Sequence, residues 1–297
     1  MKQFLKLCGN TPLVRVSDRI YAKLETYNPT GSVKDRMVSY VVDRAISKGD
    51  IVRDTILCEA TSGNTGIALS SIAARLGLKC VIFMPKNMSE ERKSMMTVYG
   101  AKIVNVDEND FEMAIEMRNK FLEENENAWS PMQFSNPTNI ECHKMITARE
   151  IAAQLDSINK HWGVFVHGSG TGGTIEGVRQ YVDENKYGDA SSTKVMMVIP
   201  AESPHGIQGI GDGRDFLASP EDMDGTVIIK TDEAIERAKE FCQETGILVG
   251  ISSGANILAA ERILEDTNPA GVIVTMLCDR GERYMSIFNG ETDEHTA

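Results

Sequence analysis

Along the chain, short runs of β-branched and other apolar residues alternate with longer stretches in which apolar positions recur every three or four residues. The short runs predict strands over residues 20–25, 55–60, 79–84, 101–106, 163–167, 194–200, 226–230 and 271–278. Between 65 and 76, Ala68, Leu69, Ile72, Ala73 and Leu76 share one helical face; Ala234, Ile235, Ala238, Phe241 and Cys242 do the same between 234 and 245. Such alternation predicts an α/β fold with parallel sheets covered by helices on both faces. Residues 183–193 and 202–224 read as surface connections, 291–297 as a frayed acidic tail, and 133–139 as a crossing point between two domains.

Composition narrows the function classes. The 297 residues carry 31 basic against 43 acidic side chains, a formal charge of −12, with 41% hydrophobic residues, enough for two domains with separate cores. No run of Lys and Arg offers nucleic-acid phosphates a positive track. No stretch of about 18 apolar residues is present to span a membrane, and the start lacks the apolar core of a signal peptide. Cys8, Cys58, Cys80, Cys142, Cys242 and Cys278 are scattered without a C-x-x-C pair, which suits buried thiols in a reducing cytoplasm. The histidines, at 143, 161, 167, 205 and 295, show no ligand spacing, so no metal site is expected.

Three glycine-containing turns follow predicted strands and open predicted helices. Thr61-Ser62-Gly63-Asn64-Thr65-Gly66 offers backbone amides, short hydroxyls and a helix N-terminus, which suit a carboxylate or phosphate; the same residues would also make an ordinary N-cap. Gly168-Ser169-Gly170-Thr171-Gly172-Gly173-Thr174 lets the backbone approach a ligand closely at a helix start. Gly168, Gly170 and Gly173 also satisfy G-x-G-x-x-G, and Glu202 follows the next strand as a ribose-binding acid would. This turn therefore fits an NAD-dependent dehydrogenase and another phosphate-bearing cofactor equally. Gly250-Ile251-Ser252-Ser253-Gly254 matches the G-x-S-x-G elbow of serine hydrolases, but the histidine downstream is His295, close to the chain end, where a general base is poorly held.

Upstream, Asn28-Pro29-Thr30-Gly31-Ser32-Val33-Lys34-Asp35-Arg36 reads as a turn leading into a helix, with Ser32 available as a cap. Lys34 then falls in the first helical turn, where the macrodipole disfavours its charged form and favours a nucleophilic or basic amine; a solvated lysine is the ordinary alternative. A lysine, an anion-binding turn, a phosphate loop and a hydroxyl-bearing turn together suit pyridoxal 5'-phosphate, which presents an aldehyde, a phosphate and a ring nitrogen. A dehydrogenase accounts for the second turn alone, and a hydrolase for the third.

These segments, with Gly9-Asn10-Thr11-Pro12-Leu13-Val14-Arg15, Gln133-Phe134-Ser135-Asn136-Pro137 and Gly281-Glu282-Arg283-Tyr284, closely resemble the motifs of the cysteine synthase (O-acetylserine sulfhydrylase) family, in the same order. The resemblance implies the α/β fold of the fold type II pyridoxal-phosphate enzymes, two open parallel domains with the cofactor in the cleft between them. It implies a smaller movable substrate-binding domain at 36–138 and a larger cofactor-binding domain formed by 1–35 and 139–297. By resemblance, Lys34 is the Schiff-base lysine, Asn64 bonds the ring hydroxyl, and Ser252 faces the pyridine nitrogen. Gly170, Thr171, Gly172, Gly173 and Thr174 match the phosphate cup; Thr61, Ser62, Gly63 and Thr65, helped by Gln133, match the grip on the substrate α-carboxylate.

The activity implied is β-replacement of an O-activated L-serine, O-acetylserine first, by sulfide to give L-cysteine. A homodimer and a complex with serine acetyltransferase are implied partners. Residues 207–211 resemble the A-type enzymes and 278–284 the B-type, which keeps a short cystathionine β-synthase and an O-phosphoserine sulfhydrylase as alternatives. Arg214 and Arg280 are candidates for an anionic substrate group, with structural ion pairing the ordinary reading; His143 and Cys278 read as structural.

Overall fold

The computed structural model describes residues 6–108, 110–185, 193–211 and 216–290. Its strands run in chain order as β1 (Leu13–Arg15), β2 (Ile20–Leu24), β3 (Ile56–Ala60), β4 (Lys79–Pro85), β5 (Lys102–Val106), β6 (Ala128–Trp129), β7 (Trp162–Gly168), β8 (Lys194–Pro200), β9 (Gly225–Ile229) and β10 (Val272–Leu277). They form two sheets, ordered β5-β4-β3-β6 and β1-β2-β10-β7-β8-β9. Every pairing is parallel except β1 with β2, where Leu13 faces Lys23. The chain divides into two compact units. One comprises Met1–Cys8, Asn28–Gln133 and Arg283–Ala297; the other comprises Gly9–Tyr27 and Phe134–Glu282.

In the first unit, the two-residue period of the strands sorts side chains into separate cores. Leu57, Cys80, Ile82 and Met84 face one side, where they join Met37, Val41, Ile67, Leu69 and Met96 from the helices Lys34–Lys48, Asn64–Leu76 and Glu90–Val98. Cys58, Ala60, Val81, Phe83 and Val106 face the other, against Ala114 and Phe121 of the helix Phe111–Glu124. The helices stop where the chain needs a left-handed residue: Gly49 (φ 85°) and Gly77 (φ 68°) send their amides back to carbonyls of the last turn. Asp110 caps Phe111–Glu124 by accepting the Met113 amide.

In the second unit, β2, β7 and β10 are buried along their whole lengths, as strands covered on both faces must be. The helix Ile251–Thr267 packs on β10 and β7 and against the helix Thr231–Thr245, while Gly173–Asn185 packs on β7 and β8. The expected strands all form; β1 and β6 are additions, three and two residues long, too short to register as apolar runs. The unit boundary keeps 28–35 with 36–133, whereas the sequence division would part them at 36. The physical tie is Asp35, whose carboxylate binds Thr30 and Ser32 of the turn before it. The tail 291–297, with His295, and Arg214 lie outside the described residues, as does most of the connection 183–193.

Gly254 marks the closest approach of two helices: a Cβ there would lie 2.1 Å from the Ala234 carbonyl oxygen and 2.8 Å from the Ala238 amide nitrogen. Both neighbours are backbone and cannot turn aside. Gly254→Ala is expected to cost about 2 kcal/mol through overpacking, read as a lowered urea midpoint at unchanged slope; a midpoint equal to the parent's would show the contact to be looser than described.

Candidate active site

The turn before Lys34 is built around one buried carboxylate. Asp35, 3% exposed, accepts the Thr30 amide (3.1 Å), the Thr30 hydroxyl (2.8 Å) and the Ser32 amide (3.1 Å). Arg283, also buried, donates to the carbonyls of Gly31 (2.9 Å) and Thr30. Gly31 closes the bend at φ 81°, and the Ser32 hydroxyl accepts the Lys34 amide at 3.3 Å, as a cap would. Lys34 is thus held as the first residue of the helix Lys34–Lys48, half-buried, at the end where the dipole opposes its positive charge. Burial pushes the Asp35 carboxyl up to about 6, against the pull of the Thr30 and Ser32 hydrogen bonds and of Arg283.

In the same unit, β3 ends at Ala60 and the helix Asn64–Leu76 begins four residues later. Thr61 bonds the Phe83 carbonyl through its amide (3.1 Å), and its hydroxyl accepts the Gly63 amide (3.0 Å). The amides of Ser62, Thr65 and Gly66 find no backbone acceptor among the described residues, the arrangement of an anion nest. Gln133, 3% exposed, accepts the Thr65 hydroxyl at 2.6 Å and donates to the Ala60 carbonyl at 2.8 Å. Gln133 is fixed in turn by Glu59, which accepts the Gln133 amide (3.0 Å) and the Ala60 amide (2.8 Å) and pairs with Arg118 at 2.6 Å. Burial pushes the Glu59 carboxyl up, opposed by Arg118 and those amides.

The other unit carries the second set. After β7, the residues Gly168–Thr174 turn into the helix Gly173–Asn185. The amides of Gly170, Thr171, Gly172 and Thr174 find no backbone acceptor among the described residues. The loop is close-packed behind: a Cβ on Gly173 would lie 2.2 Å from Asn139 Oδ1, and on Gly172 (φ 86°) 2.5 Å from the Ala218 amide. Thr171 Oγ1 receives Asn139 Nδ2 at 3.1 Å, and Thr174 Oγ1 meets His143 Nε2 at 3.3 Å. His143 opens the π-helical turn His143–Ala148 and also bonds Thr147 at 2.9 Å, so it is a buried, bonded histidine.

Ser252 is 5% exposed at the start of Ile251–Thr267, and its hydroxyl makes no hydrogen bond among the described residues; the hydroxyl of the adjacent Ser253 is used on the Cys278 amide (2.9 Å). Glu202 accepts the Thr231 amide (3.2 Å) and hydroxyl at the start of Thr231–Thr245, so its carboxylate caps a helix. Arg280 donates to the Thr26 carbonyl at 2.9 Å and is structural. The donor sets fit pyridoxal phosphate: amides and hydroxyls at a helix N-terminus for a phosphate, a neutral hydroxyl for a ring nitrogen, a nest for a carboxylate, and a lysine at a helix start.

Glu59, Arg118, Asp35 and Arg283 are the residues that sequence reasoning gave no role. A charged residue inside the apolar run 55–60 was the available signal for Glu59. Because the raised value favours protonated Asp35 in the folded chain, its contribution to stability is fully present below about pH 3.8 and is lost as pH rises through about 6. The stability of Asp35→Asn relative to the parent is therefore expected to rise between about pH 4 and 7, by about 3 kcal/mol at most. Parallel urea titrations check this, and a difference flat with pH would contradict it.

Comparison with known proteins adds the chemistry. Residues 5–279 match the family described as pyridoxal-phosphate dependent enzyme. The chain is 38% identical to Cysteine synthase B of Campylobacter jejuni, over 95% of this chain and 96% of that one. It is similar in structure to a hydrogen sulfide-producing enzyme from Fusobacterium nucleatum, with a TM-score of 0.88 and 37% identity over 96% of this chain and 90% of that one. It is also similar to an O-acetylserine dependent cystathionine β-synthase from Helicobacter pylori, with a TM-score of 0.87 and 30% identity over 95% and 96%. Likeness of this degree along nearly the whole length is shared descent and not a borrowed loop: the chain belongs to the pyridoxal-phosphate-dependent enzymes, in the family of the cysteine synthases.

Proposed function

We propose that this chain is a cysteine synthase that replaces the acetoxy group of O-acetyl-L-serine with the sulfur of sulfide, breaking the Cβ–O bond and forming a Cβ–S bond to give L-cysteine and acetate. The observation that carries the reading is the placement of Lys34 at a helix start, fixed by Asp35 and Arg283, in the unit that also holds the Thr61–Thr65 nest. Bound pyridoxal phosphate supplies an electron sink that makes the substrate's Cα–H acidic.

The chain's own residues do the rest. Amides of Gly170, Thr171, Gly172 and Thr174, with the hydroxyls of Thr171 and Thr174, hold the phosphate, and Asn64 is assigned to the ring hydroxyl. Ser252 presents a neutral hydroxyl to the ring nitrogen. A carboxylate there would keep that nitrogen protonated and favour a long-lived carbanion. A hydroxyl favours loss of the leaving group from Cβ instead. Thr61, Ser62, Gly63 and Thr65 with Gln133 hold the substrate carboxylate. The Lys34 amine takes the Cα proton as acetate leaves, and returns it after sulfide has added at Cβ. Two successive half-reactions of this kind give ping-pong kinetics.

A second reading shares the first half. The Helicobacter pylori neighbour is an O-acetylserine dependent cystathionine β-synthase, which supports homocysteine in place of sulfide as the alternative acceptor. A homodimer, a serine acetyltransferase partner and a cytoplasmic location belong to the same proposal. Purified protein with O-acetylserine and sulfide is expected to release cysteine and acetate in equal amounts. Lys34→Ala is expected to lower turnover by about 1,000-fold or more while still binding pyridoxal phosphate non-covalently in equilibrium dialysis. Product only with homocysteine would move the assignment to cystathionine synthesis, and substantial turnover by Lys34→Ala would defeat the mechanism.

A further inference from the structure

One buried cation has no counter-charge beside it among the described residues. Arg92, on the helix Glu90–Val98, is 3% exposed, and no carboxylate among the described residues pairs with it. Its Nε is buried without a hydrogen-bond partner. Its guanidinium lies over the ring of Tyr284, 4.8 Å from the centroid, and one terminal nitrogen reaches the Ser62 carbonyl at 3.4 Å. The side chain is pressed against the nest itself: a Cβ on Gly63 would lie 2.5 Å from Arg92 Cδ and 2.8 Å from its Nε. Burying a guanidinium without an anion is expensive, and an aromatic face compensates only in part. The missing anion is therefore one that arrives.

We propose that Arg92 is a positioning residue for the substrate carboxylate, supplying the counter-charge behind the Thr61–Thr65 nest and setting the preference for amino acids with a free carboxylate. Two physical effects combine. In a trans peptide the carbonyl and amide point opposite ways, so drawing the Ser62 oxygen toward Arg92 turns a repulsive dipole end away from the anion. The guanidinium also adds a fixed positive field, screened less than a surface charge because Arg92 itself is buried. Arg92 needs no contact with the substrate for either effect. The inference rests on the reading of Thr61–Thr65 as the carboxylate grip.

The test uses holoenzyme, titrated with L-serine and with L-serinamide and followed by the visible absorbance of the cofactor. Arg92→Met is expected to weaken serine binding by about 10-fold or more and to leave serinamide within about twofold. Arg92→Lys, which keeps the charge, should fall between, with pyridoxal-phosphate affinity unchanged in both. If Arg92→Met does not fold, Arg92→Gln carries the same expectation. Equal weakening of acid and amide, or no change in either, would overturn the role of Arg92. Thr65→Val serves as the control on the underlying reading. If it too leaves the acid-to-amide ratio at the parent value, the carboxylate grip is elsewhere. If it collapses the ratio while Arg92→Met preserves it, the grip stands and Arg92 is only packing.

Discussion

A parallel strand that hands its chain to a helix leaves the first amides of that helix without an intrahelical acceptor. This constraint, met separately in each unit, underlies the candidate chemistry. After β3 it leaves the amides of Ser62, Thr65 and Gly66 to be satisfied, and after β7 those of Gly170, Thr171, Gly172 and Thr174. Such groups are tolerable only if water or an anion reaches them. Side chains must then be small where the turn meets its support. The missing Cβ of Gly66 would meet Thr61 and Met96, and that of Gly170 would meet the Gly209 carbonyl. Glycine is required here for proximity more than for unusual dihedrals.

Buried charge in the first unit serves position before stability. A buried ion pair gains little over well-packed apolar side chains, because each ion has left water. What Glu59 and Arg118 secure is orientation. Both Glu59 oxygens are engaged, by Arg118, the Ala60 amide and the Gln133 amide, so Gln133 has one place to sit, and through it so does the Thr65 hydroxyl. Asp35 and Arg283 act likewise on the turn before Lys34, one gripping its amides and the other its carbonyls. The proposed reaction asks for a lysine amine and a carboxylate grip in constant relation, and both are set by charges away from the reacting atoms.

The framework of strands was legible because each core strand is a run of apolar residues bounded by polar turns. Cys58 and Val81 alternate with Leu57 and Ile82, and both faces are covered. The strands β1 and β6 were not, since pairs and triplets of residues carry no period. The glycine turns and Lys34 stood out because close backbone approach and helix starts restrict residue choice locally. Their supports did not. Arg92 sits in Ser-Glu-Glu-Arg-Lys, which reads as a solvated helix face, although Met96 four residues on is fully buried and shares its side of the helix. Glu59 and Arg118 meet across 59 residues, and Arg283 reaches the 30–31 turn across more than 250. Such partnerships come from the fold and leave no local trace.

Local motifs, conversely, over-report chemistry, and hydrogen-bond accounting separates their readings. The segment 168–173 satisfies a dinucleotide fingerprint, yet the acid that would hold a ribose is occupied as the cap of Thr231–Thr245. The segment 250–254 satisfies a nucleophile elbow, yet Ser252 has no base bonded to it among the described residues and Ser253 is committed to the Cys278 amide. A hydroxyl without a base is a poor nucleophile. The same hydroxyl, buried at a helix start and uncommitted among the described residues, remains able to donate to a neutral ring nitrogen. The feature that disqualifies Ser252 in one mechanism is the one that suits it to the other.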